Sequence, residues 1–236
     1  MTHFRFVNLK GAKAESFGAL AAFFYRMWAE PALAPMHERI AEEPQIVRGK
    51  LLDIGCGPGR LTRRIAERRP EVGVTGLDLS ADMIRQARRG PVLANLEFRQ
   101  GTPASAGFSN EYEMALSILS FHHWEEPVEE VSAVHRALKP GGRLWIYEQD
   151  AEASNAELHA DRAPLWGFLR VPGCWQRLLA RGHGFTRREV EEVVRPAVAR
   201  TPFRTVQIDR TGSTFRLELT KENTPSGAID NAGDRR

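Results

Sequence analysis

The chain has 236 residues, of which 42% are hydrophobic, and it carries a formal net charge of +3. This length and composition predict one sizeable core in a single domain, residues 1–221, and no apolar run approaches the roughly 18 residues that a membrane span needs. The two cysteines, Cys56 and Cys174, are too few for a disulfide framework and lack metal-ligand spacing, so we expect a cytoplasmic protein without a metal site.

The first predicted element is a helical stretch at residues 14–43 that is rich in aromatic side chains and precedes the sheet. Aromatic residues at helical spacing usually face a core. We therefore predict that most of this stretch packs against the domain as an N-terminal helical cap.

An apolar strand follows and ends in three glycines at alternate positions, Gly55, Gly57 and Gly59. Glycine takes positive φ angles and lets the main chain approach a bound molecule closely, and the helix that follows offers unpaired N–H groups. A plain tight connection could use the same residues. The next strand, at 72–80, ends in Asp78, where sites of the Rossmann type place a carboxylate that binds ribose. Together the two features indicate a nucleotide-like cofactor.

The spacing of the glycines separates two classes of cofactor. The pattern here is G-x-G-x-G, whereas the fingerprint for dinucleotides is G-x-G-x-x-G. Asp53, just before the turn, would repel a phosphate. S-adenosylmethionine has no phosphate, and it offers a ribose to Asp78 and an α-amino group to Asp53. The residues therefore favour S-adenosylmethionine over NAD.

Strands and helices alternate through the chain, as in a doubly wound sheet. Strands are predicted near 50–54, 73–78, 95–99, 113–119 and 142–148, with a helix at 128–138 that Gly141 and Gly142 close. Ser80 is a predicted N-cap, and Thr186 with Glu189 forms a predicted capping box. Residues 203–209 and 213–220 read as a terminal hairpin around a turn at 210–212.

Four segments carry a resemblance to a known family. They are Leu51 to Arg60, Leu77 to Ser80 with Met83, Tyr112 to Trp124, and Leu138 to Leu144. In order and spacing they resemble the class I S-adenosylmethionine-dependent methyltransferases, in the small UbiE-like (type 11) branch, over residues 46–150. The resemblance implies an α/β, Rossmann-like, doubly wound sheet of seven strands, mostly parallel with an antiparallel last strand. It also implies S-adenosyl-L-methionine as cofactor and S-adenosyl-L-homocysteine as product.

The resemblance further implies which residues contact the cofactor: Tyr25, Asp53, Gly55, Cys56, Gly57, Gly59, Asp78, Leu79, Met83, Gly101, Thr102, Ser117 and His122. One position departs from the family. After the third strand the family usually reads Gly-Asp-Ala, and its aspartate accepts from the adenine amino group, whereas this chain has Gly101-Thr102-Pro103. The Thr102 hydroxyl can accept a hydrogen bond, but a neutral one is weaker than a charge-assisted one.

Methyl transfer from a sulfonium needs alignment and shielding more than a catalytic triad. If the acceptor is a hydroxyl, a base would help, and His122 or His123 after the fourth strand are the first candidates. Tyr25 is a second candidate, because in the resembling family a tyrosine from the N-terminal helices closes over the methionine end of the cofactor. Glu148 and His183 are weaker candidates, because each could be only a surface or cap polar group.

Two further segments are assigned by composition. Residues 151–184 carry more apolar side chains than a simple loop, so they form a cap over the substrate, a packed connector or a dimer contact. Residues 185–221 hold the last helix and the hairpin. Residues 222–236 are small and polar, and we predict that they are disordered.

Three functional hypotheses remain open at this stage. The first is methyl transfer to a small organic acceptor, with O-, N- and C-methylation unresolved, by a monomer or homodimer. The second is a non-catalytic protein that binds S-adenosylmethionine, because Thr102 is unusual and no distinctive base is present. The third is an RNA-modifying methyltransferase. The arginines are scattered along solvated helix faces, which disfavours nucleic acid as a partner. The absence of an Asn-Pro-Pro-Tyr motif disfavours methylation of DNA bases.

Overall fold

The computed structural model describes residues 33–43, 48–161 and 184–223. The predictions for residues 14–32, most of the 151–184 segment and the tail beyond 223 therefore lie outside the described residues. The strands are β1 (Gly49–Ile54), β2 (Val72–Asp78), β3 (Leu96–Gln100), β4 (Tyr112–Ile118), β5 (Leu138–Gln149), β6 (Thr205–Thr211) and β7 (Thr214–Thr220).

The seven strands form one sheet in the order β3-β2-β1-β4-β5-β7-β6. Strands β1 to β5 are parallel, and β7 runs antiparallel to both of its neighbours, β5 and β6. The predicted fold class is therefore confirmed. The order reverses direction at β1, and in such sheets ligands bind beyond the carboxyl ends of the strands at this switch point.

Helices connect the strands on both faces. They are α1 (Ala34–Glu42), α2 (Arg60–Arg68), α3 (Ala81–Ala87), α4 (Pro103–Ala106), α5 (Pro127–Ala137), α6 (Asn155–Ala160), α7 (Arg187–Glu189) and α8 (Arg195–Val198), with a 3-10 turn at Phe121–His123 and a π-helical turn at Val190–Val194. Ser80 caps α3 by accepting from the Met83 N–H at 3.3 Å. Thr186 and Glu189 form a reciprocal capping box. Both predicted caps are confirmed.

The prediction was wrong at the start of β5. The strand begins directly after α5, at Leu138, which pairs with Tyr112, and Arg143 then pairs with Met114. The intervening residues form a bulge in which Gly141 has a φ angle of +76°. The glycines therefore lie inside the strand instead of separating it from the helix, because the bulge lets β5 pair with β4 on both sides of the turn.

The turn of the terminal hairpin is also shifted from its predicted place at 210–212. Thr211 pairs with Thr214, so the turn consists of Gly212 and Ser213. Asp161 fixes this position, because its Oδ2 atom accepts from the Ser213 N–H at 2.7 Å and from the Ser213 hydroxyl at 2.8 Å. A side chain distant in sequence has set the register, and no local pattern indicates it.

The core lies in two layers, one on each face of the sheet. Alternate residues of β1 show this: Leu51 packs with residues of α1 and α2, and Leu52 packs with residues of α5 and of the Val190–Val194 turn. Both leucines are completely buried. Burial of these apolar faces fixes the sheet between the helices and holds the carboxyl ends of its strands at one rigid edge.

Two features are absent from residues 33–43, 48–161 and 184–223. None of the helices there has the length and apolar character to cross a membrane. Over the same ranges no three His, Cys, Asp or Glu side chains are grouped so as to hold a metal ion.

Candidate functional site

A cavity of about 430 Å³ opens at the carboxyl edge of the sheet. This volume lies within the usual range for pockets that bind small ligands. The wall is formed by the glycine turn after β1, the end of β2, the turn after β3 and the segment from β4 into α5. Seven of the predicted cofactor contacts line it: Gly55, Gly57, Asp78, Leu79, Met83, Gly101 and Thr102.

The glycine turn is tight and offers no room for side chains. The N–H groups of Gly55 and Cys56 both donate to the Leu77 carbonyl, at 2.7 and 3.0 Å. Gly55 has a φ angle of +71°, and a Cβ atom there would lie 1.9 Å from the Ser120 hydroxyl oxygen. Only glycine satisfies both the backbone angle and the close approach of the segment after β4.

Asp78 is held at the end of β2 by two backbone hydrogen bonds. Its Oδ2 atom accepts from the Gly57 N–H and its Oδ1 atom from the Ser80 N–H, each at 2.8 Å. Burial raises the pKa of this carboxyl, whereas the two N–H donors lower it. Each carboxylate oxygen can accept more than one hydrogen bond, so the group can still receive two hydroxyl donors from the cavity.

The walls beside Asp78 are apolar. Leu79 is 43% exposed, which is unusual for a large apolar side chain, and it lines the cavity with Met83 from α3. Leu119, which has a φ angle of +49°, lines the cavity beyond β4. Apolar side chains around a few fixed polar groups are the usual surroundings of a bound nucleoside.

The turn after β3 ends the cavity on one side. The Thr102 side chain accepts from the Ser105 N–H at 3.3 Å, and the Ser105 hydroxyl oxygen accepts from the Thr102 N–H at 2.8 Å, which closes a capping box on α4. Pro103 has no N–H to offer. The Ala104 N–H donates to Glu130 at 2.9 Å. The polar groups of this turn are thus already used locally.

Asp53 does not line the cavity. It is 3% exposed and lies beneath the glycine turn, where its Oδ2 atom accepts from the Thr62 hydroxyl at 2.6 Å. Burial raises the pKa of Asp53 to about 6, and the nearby charge of Asp78 adds to the rise. The structure therefore separates Asp53 from the position at which it could touch a ligand directly.

Three other predicted contacts also lie away from the cavity. Cys56 packs with Phe98, and burial raises the pKa of its thiol. A Cβ atom on Gly59 would meet the Phe98 ring at 2.6 Å, so this glycine permits helix packing. Ser117 is completely buried, and its hydroxyl has no hydrogen-bond partner among the residues that the structure describes.

The two histidines after β4 occupy different positions. His123 lines the cavity. His122 pairs with Glu148 of β5: its Nδ1 atom is 2.8 Å from Oε2, and its backbone N–H donates to Oε1 at 3.2 Å. Glu148 is 0% exposed, so the idea that it could be a surface group was wrong. The two imidazole rings are adjacent, with centroids 4.0 Å apart.

Sequence reasoning missed the wall contributed by the start of α5. Ser120, Trp124, Glu125, Glu126, Glu129 and Glu130 all line the cavity. The only available signal was their position directly after a strand that ends at the ligand edge. Tyr25 and His183 lie outside the described residues.

Curated relatives of this chain carry the names of methyltransferases. The family described as "Methyltransferase domain" matches residues 51–142. A trans-aconitate 2-methyltransferase of Rhodopseudomonas palustris is 44% identical over 126 residues, which are 53% of this chain and 48% of the relative. An uncharacterised methyltransferase of Bacillus subtilis is 31% identical over 113 residues, which are 46% of this chain and 61% of the relative. The chain spans between a quarter and about three fifths of the length of such relatives.

Solved structures share the fold over nearly the whole chain. An S-adenosylmethionine-dependent methyltransferase from Methanococcus maripaludis superimposes with a TM-score of 0.69 at 19% identity, over 92% of this chain and 98% of that one. A Haloferax volcanii methyltransferase, solved with an activator protein, gives 0.61 at 16% identity over 89% and 98%. The matched segment, the relatives and the shared fold support a class I S-adenosylmethionine-dependent methyltransferase of the type 11 kind.

Proposed function

We propose that the protein binds S-adenosylmethionine and transfers its methyl group to a small organic acceptor. The observation that carries this proposal is Asp78, whose two oxygens are both anchored by backbone N–H groups beside the glycine turn and at the edge of the cavity. A carboxylate held in this way is oriented to accept hydrogen bonds from the two hydroxyls of a ribose. We further propose that the protein works in the cytoplasm as a monomer or homodimer.

The residues present fit this cofactor. Gly55 and Gly57 place main chain without side chains in the cavity wall, so a ligand can lie close to the backbone there. Leu79 and Met83 offer apolar contact to a flat base. The buried charge of Asp53 favours a cation over a phosphate on the other side of the turn. Relatives of this fold have been solved with S-adenosylmethionine and with S-adenosylhomocysteine, which supports the same assignment.

The cofactor, when bound, supplies a methyl group that a sulfonium makes reactive toward displacement. The chain's own residues align the cofactor with the acceptor and shield both from water. Asp78 fixes the ribose, and the apolar wall excludes water. We propose Gly55, Cys56, Gly57, Gly59, Gly101 and Ser117 as the frame of the site, with Gly55, Gly57 and Gly101 in contact and the others acting through packing.

For a hydroxyl acceptor we propose His122 as the base, since the centroid of its ring lies 4.0 Å from that of His123, which lines the cavity. The tautomer that donates from Nδ1 to Glu148 makes Nε2 the basic nitrogen, which would take the proton that the acceptor loses. Glu148 positions the ring in this role, as a buried carboxylate does for many catalytic histidines. Tyr25 stays a proposal from the family resemblance.

The relatives leave the acceptor open. The chain covers 48% of the trans-aconitate 2-methyltransferase of Rhodopseudomonas palustris, so the substrate in that name is not carried over to this chain. We therefore propose a small acceptor whose class the relatives do not decide.

The proposal is tested by incubating the protein with S-adenosylmethionine that carries a labelled methyl group. The acceptors are panels of amines, phenols and carboxylic acids, with a total RNA fraction as a separate arm. We expect label in a small molecule, and none with Asp78→Ala. Label in RNA alone would support the RNA-modifying alternative. Cofactor binding without product from any panel or cell-extract fraction would support a non-catalytic binding protein.

A further inference from the structure

The end of the cavity that receives the base can be located from the sheet order. Strand β2 lies between β3 and β1, and Asp78 ends it. With the ribose on Asp78 and the reactive methyl on the side of β1 and β4, the base extends toward β3. In that orientation the base would lie against Leu79 and Met83, and its polar edge would face the turn that starts at Gly101, all of which line the cavity.

That turn offers few groups to the edge of a purine. Pro103 has no N–H. The N–H of Thr102 donates to the Ser105 hydroxyl, and the Thr102 hydroxyl accepts from the Ser105 N–H. The next N–H, on Ala104, donates to Glu130. The backbone here cannot donate to the base, and the hydroxyl is turned into the cap of α4.

Glu130 brings a carboxylate to the same place from another element. Its Oε2 atom accepts from the Ala104 N–H at 2.9 Å, although the two residues are 26 positions apart, and the side chain lines the cavity. No other hydrogen bond or ion pair joins this carboxylate to the described residues. Glu130 lies in the first turn of α5, where the helix dipole stabilises negative charge. The group is fixed by one oxygen, and the other oxygen can accept from a ligand.

We propose that Glu130 recognises the exocyclic amino group of the cofactor's adenine, in place of an acceptor on the β3 turn. The inference rests on the proposed function, since it assigns a specificity residue within the same site. The amino group donates an N–H to Oε1 while Ala104 holds Oε2. Because the acceptor is charged, this bond is stronger than one to the Thr102 hydroxyl.

The chemistry of the base gives a sharp test. Adenine presents an N–H donor at its position 6, whereas hypoxanthine presents a carbonyl oxygen there. A carboxylate attracts the first and repels the second. Glutamine keeps an oxygen for the Ala104 N–H and has an amide that can donate to a carbonyl. Glu130→Gln should therefore bind the two bases almost equally without opening the turn.

The experiment is calorimetric titration of the full chain with S-adenosylhomocysteine and with S-inosylhomocysteine. The wild type is expected to prefer the adenosine compound by about 10- to 100-fold, the size of a charge-assisted hydrogen bond. In Glu130→Gln the ratio should fall to below about 3-fold. Glu129→Gln removes the same charge from the same helix turn and should leave the ratio unchanged, whatever it does to absolute affinity.

Each outcome has a separate meaning. An unchanged ratio in Glu130→Gln would overturn the inference while the proposed function stands. Collapse of the ratio in Thr102→Val, with Glu130→Gln unaffected, would assign recognition to the hydroxyl and overturn it as well. If the folded wild type bound neither compound, the proposed function itself would fail. Circular dichroism of each variant checks that the protein is folded.

Discussion

The two sides of the cavity are built in different ways. On the side of β1 and β2 the contacts are made by backbone and by one carboxylate at a strand end, as in the bond from the Gly57 N–H to Asp78. On the side of β4 and α5 they are made by side chains from separate elements, as in the pairs of His122 with Glu148 and of Ala104 with Glu130, each 26 positions apart. Backbone contacts at strand ends follow from the fold itself, whereas contacts between side chains of separate elements can vary and set specificity.

This contrast predicts that a substitution on the side of β4 and α5 destabilises the fold by removing one partner of a side-chain pair. His122→Ala should lower the free energy of unfolding by roughly 3 kcal/mol, because it leaves the Oε2 atom of the buried Glu148 without its imidazole partner. The double variant His122→Ala with Glu148→Gln should be less destabilised than the sum of the single variants, by about 1–2 kcal/mol. Urea unfolding measures all three.

His123→Ala is the control for this cycle. His123 lines the cavity beside His122 and is partly exposed, so we expect a change within about 1 kcal/mol. Additive effects of the His122 and Glu148 substitutions would show that the two side chains are not coupled. In that case the side chains on the side of β4 and α5 would not act as coupled pairs.

On the side of β1 and β2, we expect stability to be most sensitive to a side chain added in the glycine turn. Gly55→Ala combines a positive φ angle with a Cβ atom placed against the Ser120 hydroxyl, and we expect a loss of about 2–3 kcal/mol. Gly107→Ala is the matched control, since its φ angle is +67° but nothing lies within 4 Å of the added atom. It should cost about 1 kcal/mol. Equal losses in thermal unfolding would mean that only the backbone angle matters.

Substitution of Asp53 should give the smallest change in the free energy of unfolding, on the order of 1–2 kcal/mol. This change should depend on pH. The pKa of Asp53 is about 6 in the folded protein, above the ordinary value of 3.8 expected when the chain is unfolded. Between these values the folded state keeps the proton, so this contribution to stability is present at low pH and is lost as pH rises through 6. Asp53→Asn stays neutral and should therefore be more stable than the wild type at pH 7.5.

The difference between the wild type and Asp53→Asn in urea unfolding should shrink when the pH is lowered from 7.5 to 5. Glu111→Gln, which removes a partly exposed carboxylate, is the control and should show no such change. A difference that is the same at both pH values would contradict the assignment of a raised pKa to Asp53.

The sequence predicted the fold and the first side of the site because these follow from local pattern. Alternating glycines, a strand that ends in Asp78 and caps such as Ser80 each act within a few residues of their own position. The sequence did not separate His122 from His123, because only the position of Glu148 on β5 shows which of the two rings pairs with a buried carboxylate. It also gave no sign of Glu130, whose role depends on the packing of α5 beside the β3 turn. The same reason explains Asp53: a carboxylate before a glycine turn could face either the ligand or the core, and Thr62 on α2 decides between them.

The most direct test of the central claim is calorimetric titration of S-adenosylhomocysteine into the wild type and Asp78→Ala, with circular dichroism as the check on folding. The account predicts one equivalent bound by the wild type and affinity at least about 100-fold lower in the variant, because two ribose hydroxyls lose a charged acceptor. Failure of the folded wild type to bind, or equal binding by the two proteins, would contradict it.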